Sequence, residues 1–244
     1  MKDSNTYIFL YASAMVIIVA AVLSAVATFL KPYQDLNIEI ARKLDILMSV
    51  EKARELAMAD DRTAYINEEY ERYIVGSYVI NHQGEILDDV EAFEVNVREE
   101  NRKPVEQRNL PIFVARHDDG SESYIIPVYG RGLWGPVFGY VAFEEDYNTI
   151  FGVIFDHEGE TPGLGAEINT RAFQEQFKGK RIFDDDGEFV SIDVIKPGTV
   201  PMNEHRVDGI SGGTITGNGV DAMLENSLSS YVAYFRKQKN QNYE

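Results

Sequence analysis

The sequence predicts an α+β protein: a single N-terminal transmembrane helix, then a domain in which flanking helices cover a largely antiparallel sheet. Three observations carry this. Residues 7–30 contain no charged side chain. Residues 123–129, 137–144 and 149–155 are short runs rich in β-branched and aromatic residues, separated by Gly, Pro, Asp and Asn. Towards the C-terminus Val220, Met223, Leu224, Leu228, Tyr231, Val232 and Phe235 recur on one helical face.

A helix over residues 7–30 is roughly 36 Å long, enough to cross a bilayer with some tilt. Tyr7, Phe9 and Tyr11 at one end, and Lys31 with Tyr33 at the other, suit the two interfaces. The alternative is a cleaved signal peptide, for which Ala25-Val26-Ala27 offers small residues but the apolar run is too long. Charge leaves the orientation open, because Lys2 and the amino terminus oppose Lys31, Arg42 and Lys43. The expected division is residues 1–6 as a short N-terminus, 7–30 as the span, 31–60 as a juxtamembrane helix or linker, and 61–240 as the soluble domain.

Within the linker, Leu36, Ile40, Leu44, Leu47 and Met48 recur at helical spacing over residues 36–59, and Pro32 is expected to break the chain just before them. Residues 73–80 and 86 onwards, joined by Asn81-His82-Gln83-Gly84-Glu85, predict a hairpin. The acidic stretch 94–109 reads as irregular and solvated. After the three β-rich runs, Phe173 and Phe177 support a helix over residues 169–178, and 189–195 reads as a strand. The last helix covers residues 220–237, with Arg236, Lys237 and Lys239 at its negative end.

With 244 residues, 44% hydrophobic and 26% charged, the chain can bury a core of globular size beside its anchor. A formal net charge of −17 excludes nucleic acid as a partner held through a basic surface, and directs attention to basic or apolar partners. The absence of cysteine excludes disulfides, cysteine-ligated iron–sulfur clusters and thiolate zinc sites. His82, His117, His157 and His205 lie far apart, so no metal site is expected. No Ser-His-Asp or Cys-His arrangement stands out, and no carboxylate pair can be singled out as catalytic acid and base.

Three Gly-rich loops remain. Asp208-Gly209-Ile210-Ser211-Gly212-Gly213-Thr214-Ile215-Thr216 precedes a helix, where sharply turning backbone and unpaired helix N–H groups suit a phosphate. Gly130-Arg131-Gly132-Leu133-Trp134-Gly135 matches a dinucleotide fingerprint in letters only. Pro136 and another β-rich run follow it, where nicotinamide binding needs a helix. Leu133 and Trp134 either offer a flat surface to a planar ligand or, as is simpler locally, plug the sheet edge. Glu160-Thr161-Pro162-Gly163-Leu164-Gly165 is a Pro-Gly turn that presents Leu164.

In this order and behind one span, the three loops closely resemble the covalent-FMN family formed by the C subunits of the sodium-translocating NADH:quinone oxidoreductases, over essentially the whole chain. The resemblance implies that Thr214 carries FMN through a phosphoester installed by a separate flavin transferase. Asp208, Gly209, Ser211, Gly212 and Gly213 would form the recognition and phosphate loop, with Gly213 standing where the family has alanine and Thr216 outside the matched position. Leu133, Trp134, Glu160, Thr161 and Leu164 would line the isoalloxazine ring. The implied role is an electron carrier within a membrane complex that couples NADH oxidation and quinone reduction to sodium export. NADH, quinone and sodium sites would lie on other subunits. The implied place is a bacterial inner membrane, with the soluble domain in the periplasm. One alternative is the G subunit of the related Rnf electron-transport complex, which shares the flavin segment. The other is a membrane-anchored binding or scaffold protein without redox function.

Overall fold

The structure, a computed structural model, describes residues 3–53, 56 and 59–241. Lys2, one of the flanking charges, and residues 54, 55, 57 and 58 of the expected juxtamembrane helix lie outside the described residues. The chain divides into two compact units, one up to Arg42 and one from Lys43 onwards.

The first unit is helical. Helix α1 is Asp3–Ser49, and its side chains are exposed throughout residues 7–30. This is a candidate membrane span by length and composition. Pro32 lies inside α1 and does not end it. Its ring costs one i→i−4 hydrogen bond, which a long helix absorbs as a local irregularity. The helix ends at Ser49, ten residues short of the expected end, and Glu51 and Ala53 then take positive φ values of 59° and 58°.

The second unit is built on a six-stranded antiparallel sheet in the order β2-β1-β3-β4-β5-β6. Its strands are β1 (Ile74–Ile80), β2 (Ile86–Leu87), β3 (Leu110–Arg116), β4 (Glu122–Arg131), β5 (Pro136–Phe143) and β6 (Ile150–His157). The expected hairpin is β1–β2, and the three β-rich runs are β4, β5 and β6. Strand β3 is not expected from the sequence, because Pro111 reads against an interior strand. The sheet accommodates it: β3 meets β4 only from Phe113 onwards, and the Pro111 carbonyl accepts the Tyr231 hydroxyl at 3.0 Å.

Both faces of the sheet are covered, so successive residues of β4 are buried on opposite sides. Ile126 and Val128 join Val141, Phe143 and Phe155 against α5 (Thr214–Ser229) and α6 (Val232–Gln241). Ile125 joins Val79, Phe113 and Ala142 against Ile46 and Val50. Helix α2 (Arg62–Tyr73), also unexpected, is capped by Asp61, whose carboxylate accepts the Ala64 N–H at 3.0 Å.

Several boundaries differ from expectation. Residues 94–109 contain short turns around α3 (Val97–Glu100). The expected helix over 169–178 is a series of short pieces around α4 (Arg171–Gln174), held by Phe173 and Phe177 with ring centroids 5.4 Å apart. The strand expected over 189–195 is limited to β7 (Asp193–Ile195), which pairs in parallel with β8 (Arg206–Asp208). The final helix begins six residues early, at Thr214, and breaks near Ser230 and Tyr231 into α5 and α6.

Candidate functional site

The three Gly-rich loops meet at one end of this sheet. Gly130 and Arg131 close β4, residues 132–135 form the turn, and Pro136 opens β5, with Gly132 N–H bonded to Gly135 O at 2.8 Å. The second loop follows β6. The third runs from the end of β8 into the first turn of α5.

Glu160 is the residue that ties them together. Although charged, it is only 5% exposed. Its Oε1 accepts the Trp134 N–H at 2.8 Å, and its Oε2 accepts the Thr216 hydroxyl at 2.6 Å. One carboxylate therefore fixes the β4–β5 turn and the start of α5 together. Burial pushes its carboxyl upwards, but the donors Thr216, Trp134 and Gly135 outweigh that effect and hold it below the ordinary carboxylate range. On the other side, Glu160 N–H donates to His157 Nδ1 at 3.2 Å. Gly165 permits this crowding: a Cβ there would collide with both Thr216 Oγ1 and Glu160 Oε2.

The Asp208–Thr214 loop is fixed by its backbone. Gln176 holds Asp208 on both sides, accepting its N–H at 2.9 Å and donating to its carbonyl at 3.2 Å. Gly209 N–H bonds to Ile195 O at 2.6 Å. Gly212 takes a φ of +78°, and a Cβ on it would stand 2.7 Å from Leu164 Cδ2, so the second and third loops touch here. A Cβ on Gly213 would lie 3.0 Å from Ile210 Cγ2 and 3.2 Å from the Leu164 carbonyl carbon, so alanine would need a slight opening of this contact.

Thr214 is the first residue of α5, and it is exposed. The N-cap is Gly213, which has no side chain to satisfy the N–H groups of the first turn. A cavity of about 190 Å³ beside it is lined by Lys196, Ser211, Gly212 and Asn218 among others. Around the same loops Leu133, Leu164 and Ile215 are exposed, and Trp134 is 70% exposed. Trp134 therefore does not plug the sheet edge. Together these features form an uncapped helix end, a reachable hydroxyl and an apolar rim.

Of the residues expected from sequence, Thr214, Ser211, Gly212, Leu164, Trp134 and Glu160 are brought into this neighbourhood. Glu160 is buried, with both oxygens engaged within the protein, while Thr161 O accepts N–H groups from Leu164 and Ala166 within its own turn. Sequence reasoning missed Gln176 and Lys196, and it left Thr216 outside the matched position without a role. The i+2 spacing of the two threonines is visible in the sequence, but only a fold can show that the second reaches Glu160. Among the described residues no cluster of His, Asp or Glu could hold a metal ion.

Residues 132–229, which include all three loops except Gly130 and Arg131, match the model of the FMN-binding domain. The C subunit of the Na(+)-translocating NADH-quinone reductase of Vibrio campbellii is 37% identical over 139 residues, covering 57% of this chain and 53% of that protein. In that alignment the chain thus spans about half the length of its relative. The C subunit of Haemophilus ducreyi is 28% identical over 255 residues, 96% of each chain. The crystal structure of the C subunit from Parabacteroides distasonis superposes with a TM-score of 0.74 at 40% identity, covering 84% of this chain and 96% of that one. With that identity over nearly all of a solved relative, the chain belongs to the family of C subunits of the Na(+)-translocating NADH-quinone reductases.

Proposed function

We propose that the chain is an electron carrier that holds FMN as a phosphoester on Thr214, within a membrane complex coupling NADH oxidation and quinone reduction to sodium export. The supporting observation is the meeting of three loops on Glu160. It sets an exposed hydroxyl at an uncapped helix start beside an apolar rim that includes Trp134.

The residues fit the cofactor. A phosphate ester at Thr214 would lie at the positive end of the sixteen-residue α5, near Lys196. Leu164, Leu133, Trp134 and Ile215 supply apolar surface of the kind a flat ring covers. Attachment requires Thr214 Oγ1 to displace the leaving group of a flavin nucleotide at phosphorus, with release of the hydroxyl proton, in the active site of a flavin transferase. FMN supplies one- and two-electron redox chemistry when bound. The chain's own residues position it, shield it and leave one edge of it accessible, and none need act as an acid or base.

In this reading the NADH, quinone and sodium sites lie on other subunits. The membrane is the bacterial inner membrane, crossed once by residues 7–30, with residues 61–240 in the periplasm. The relatives named above are all C subunits of the reductase, which favours neither the Rnf protein nor a scaffold. The role is tested in the assembled complex: NADH should bleach the visible absorbance of the flavin on this chain before quinone is added. A flavin that stays oxidised while the complex turns over would exclude it from the electron path.

A further inference from the structure

Behind the Trp134 turn lies an open groove of about 710 Å³ that meets the proposed flavin site at Trp134 alone. Its lining includes Arg98, Arg102, Arg108 and Arg131, and no Asp or Glu. That composition runs against the rest of the molecule, which has 40 acidic and 23 basic residues. The four arginines come from separate places: two from α3 and its exit, one from the approach to β3, and one from the end of β4. The fold, and no sequence run, gathers them.

Their present bonds differ. Arg108 is committed to the protein, donating to Lys103 O at 2.9 Å and Asn101 O at 3.3 Å. Arg98 lies 3.5 Å from Glu158, both of them exposed. Arg102 and Arg131 are exposed and have no ion pair among the described residues. Such guanidinium groups keep their charge at any physiological pH and match carboxylates in a two-pronged manner. The groove shares Trp134 with the flavin rim, and aromatic and arginine side chains together are the usual anchors of protein interfaces.

We propose that this groove docks an acidic segment of a protein partner, with Arg102 and Arg131 as its principal anchors. The open shape and the spread of the arginines over three segments fit a series of carboxylates better than a single small anion. The net charge of −17 alone directs attention to basic or apolar partners; the groove is the local exception, and it imposes orientation on an acidic partner that the rest of the surface repels. That the docked partner exchanges electrons with the chain rests on the proposed carrier role; the charge match does not.

The test uses the full chain in detergent and fluorescein-labelled deca-glutamate, followed by fluorescence anisotropy. The expected result is binding that weakens with salt and falls about tenfold or more in Arg102→Glu/Arg131→Glu, with a smaller loss in Arg102→Gln/Arg131→Gln. Lys180→Glu, a charge change away from the groove, should have little effect. Equal binding by parent and both double variants overturns the proposal, as does absence of binding by the parent. So does a site saturated by inorganic pyrophosphate while deca-glutamate fails to compete. Flavin fluorescence of the same samples on a denaturing gel reports the Thr214 reading separately, so either idea can fail alone.

Discussion

A buried carboxylate that accepts one backbone N–H and one hydroxyl is a costly residue to replace. Glu160→Gln keeps the shape but offers only one oxygen, so either Trp134 N–H or the Thr216 hydroxyl faces an amide NH2. The expected loss is about 1.5–3 kcal/mol in urea unfolding. The pH dependence has a definite sign. The folded carboxyl is held below its ordinary value of 4.5, so its contribution is fully present above that value and is lost as pH falls through the folded one. The melting temperature of the parent should fall more steeply between about pH 5 and pH 3 than that of Glu160→Gln. An equal slope would remove Glu160 as the tie between loops. Trp134→Ala addresses the rim instead: flavin attachment should persist, while the visible circular dichroism of the bound flavin changes.

Helix α5 is the element on which the site depends, and it is half legible in the sequence. The apolar stripe Val220, Met223, Leu224 and Leu228 identifies its buried face, and these residues are fully buried. The stripe places its start too late because Thr214, Ile215, Thr216, Gly217, Asn218 and Gly219 are weak helix formers whose helical state is imposed by tertiary packing. The same limit conceals β3, where Pro111 speaks against a strand that long-range pairing nevertheless forms. Punctuation by Gly and Pro, by contrast, locates β4, β5 and β6 nearly to the residue, since their connections are short turns. The side-chain bonds from Glu160 to Trp134 and Thr216 cannot be read from sequence, because they join positions far apart in the chain. Packing of α5 against the second loop gives a sharp expectation. Gly165→Val, which sets a side chain against Thr216 and Glu160, should destabilise the chain by about 1–3 kcal/mol. Gly159→Ala, where a Cβ meets nothing within 4 Å, should be near neutral. Equal effects in thermal unfolding would contradict the close packing of these loops.

For the whole molecule, a candidate span followed by a strongly acidic unit leaves orientation undetermined by charge, so the periplasmic placement stands as part of the proposed function. The absence of cysteine makes it directly measurable. A membrane-impermeant maleimide should label Asp186→Cys, an exposed turn position, in right-side-out spheroplasts without lysis. Labelling that requires lysis would reverse the orientation. At the level of a single bond, one hydroxyl, that of Thr214, is proposed to carry the flavin. Made together with a flavin transferase and run on a denaturing gel, the parent chain should give a fluorescent flavin band, and Thr214→Ala should give none at equal protein loading. A band that persists in Thr214→Ala, or a dark parent beside a transferase active on another substrate, would contradict the account.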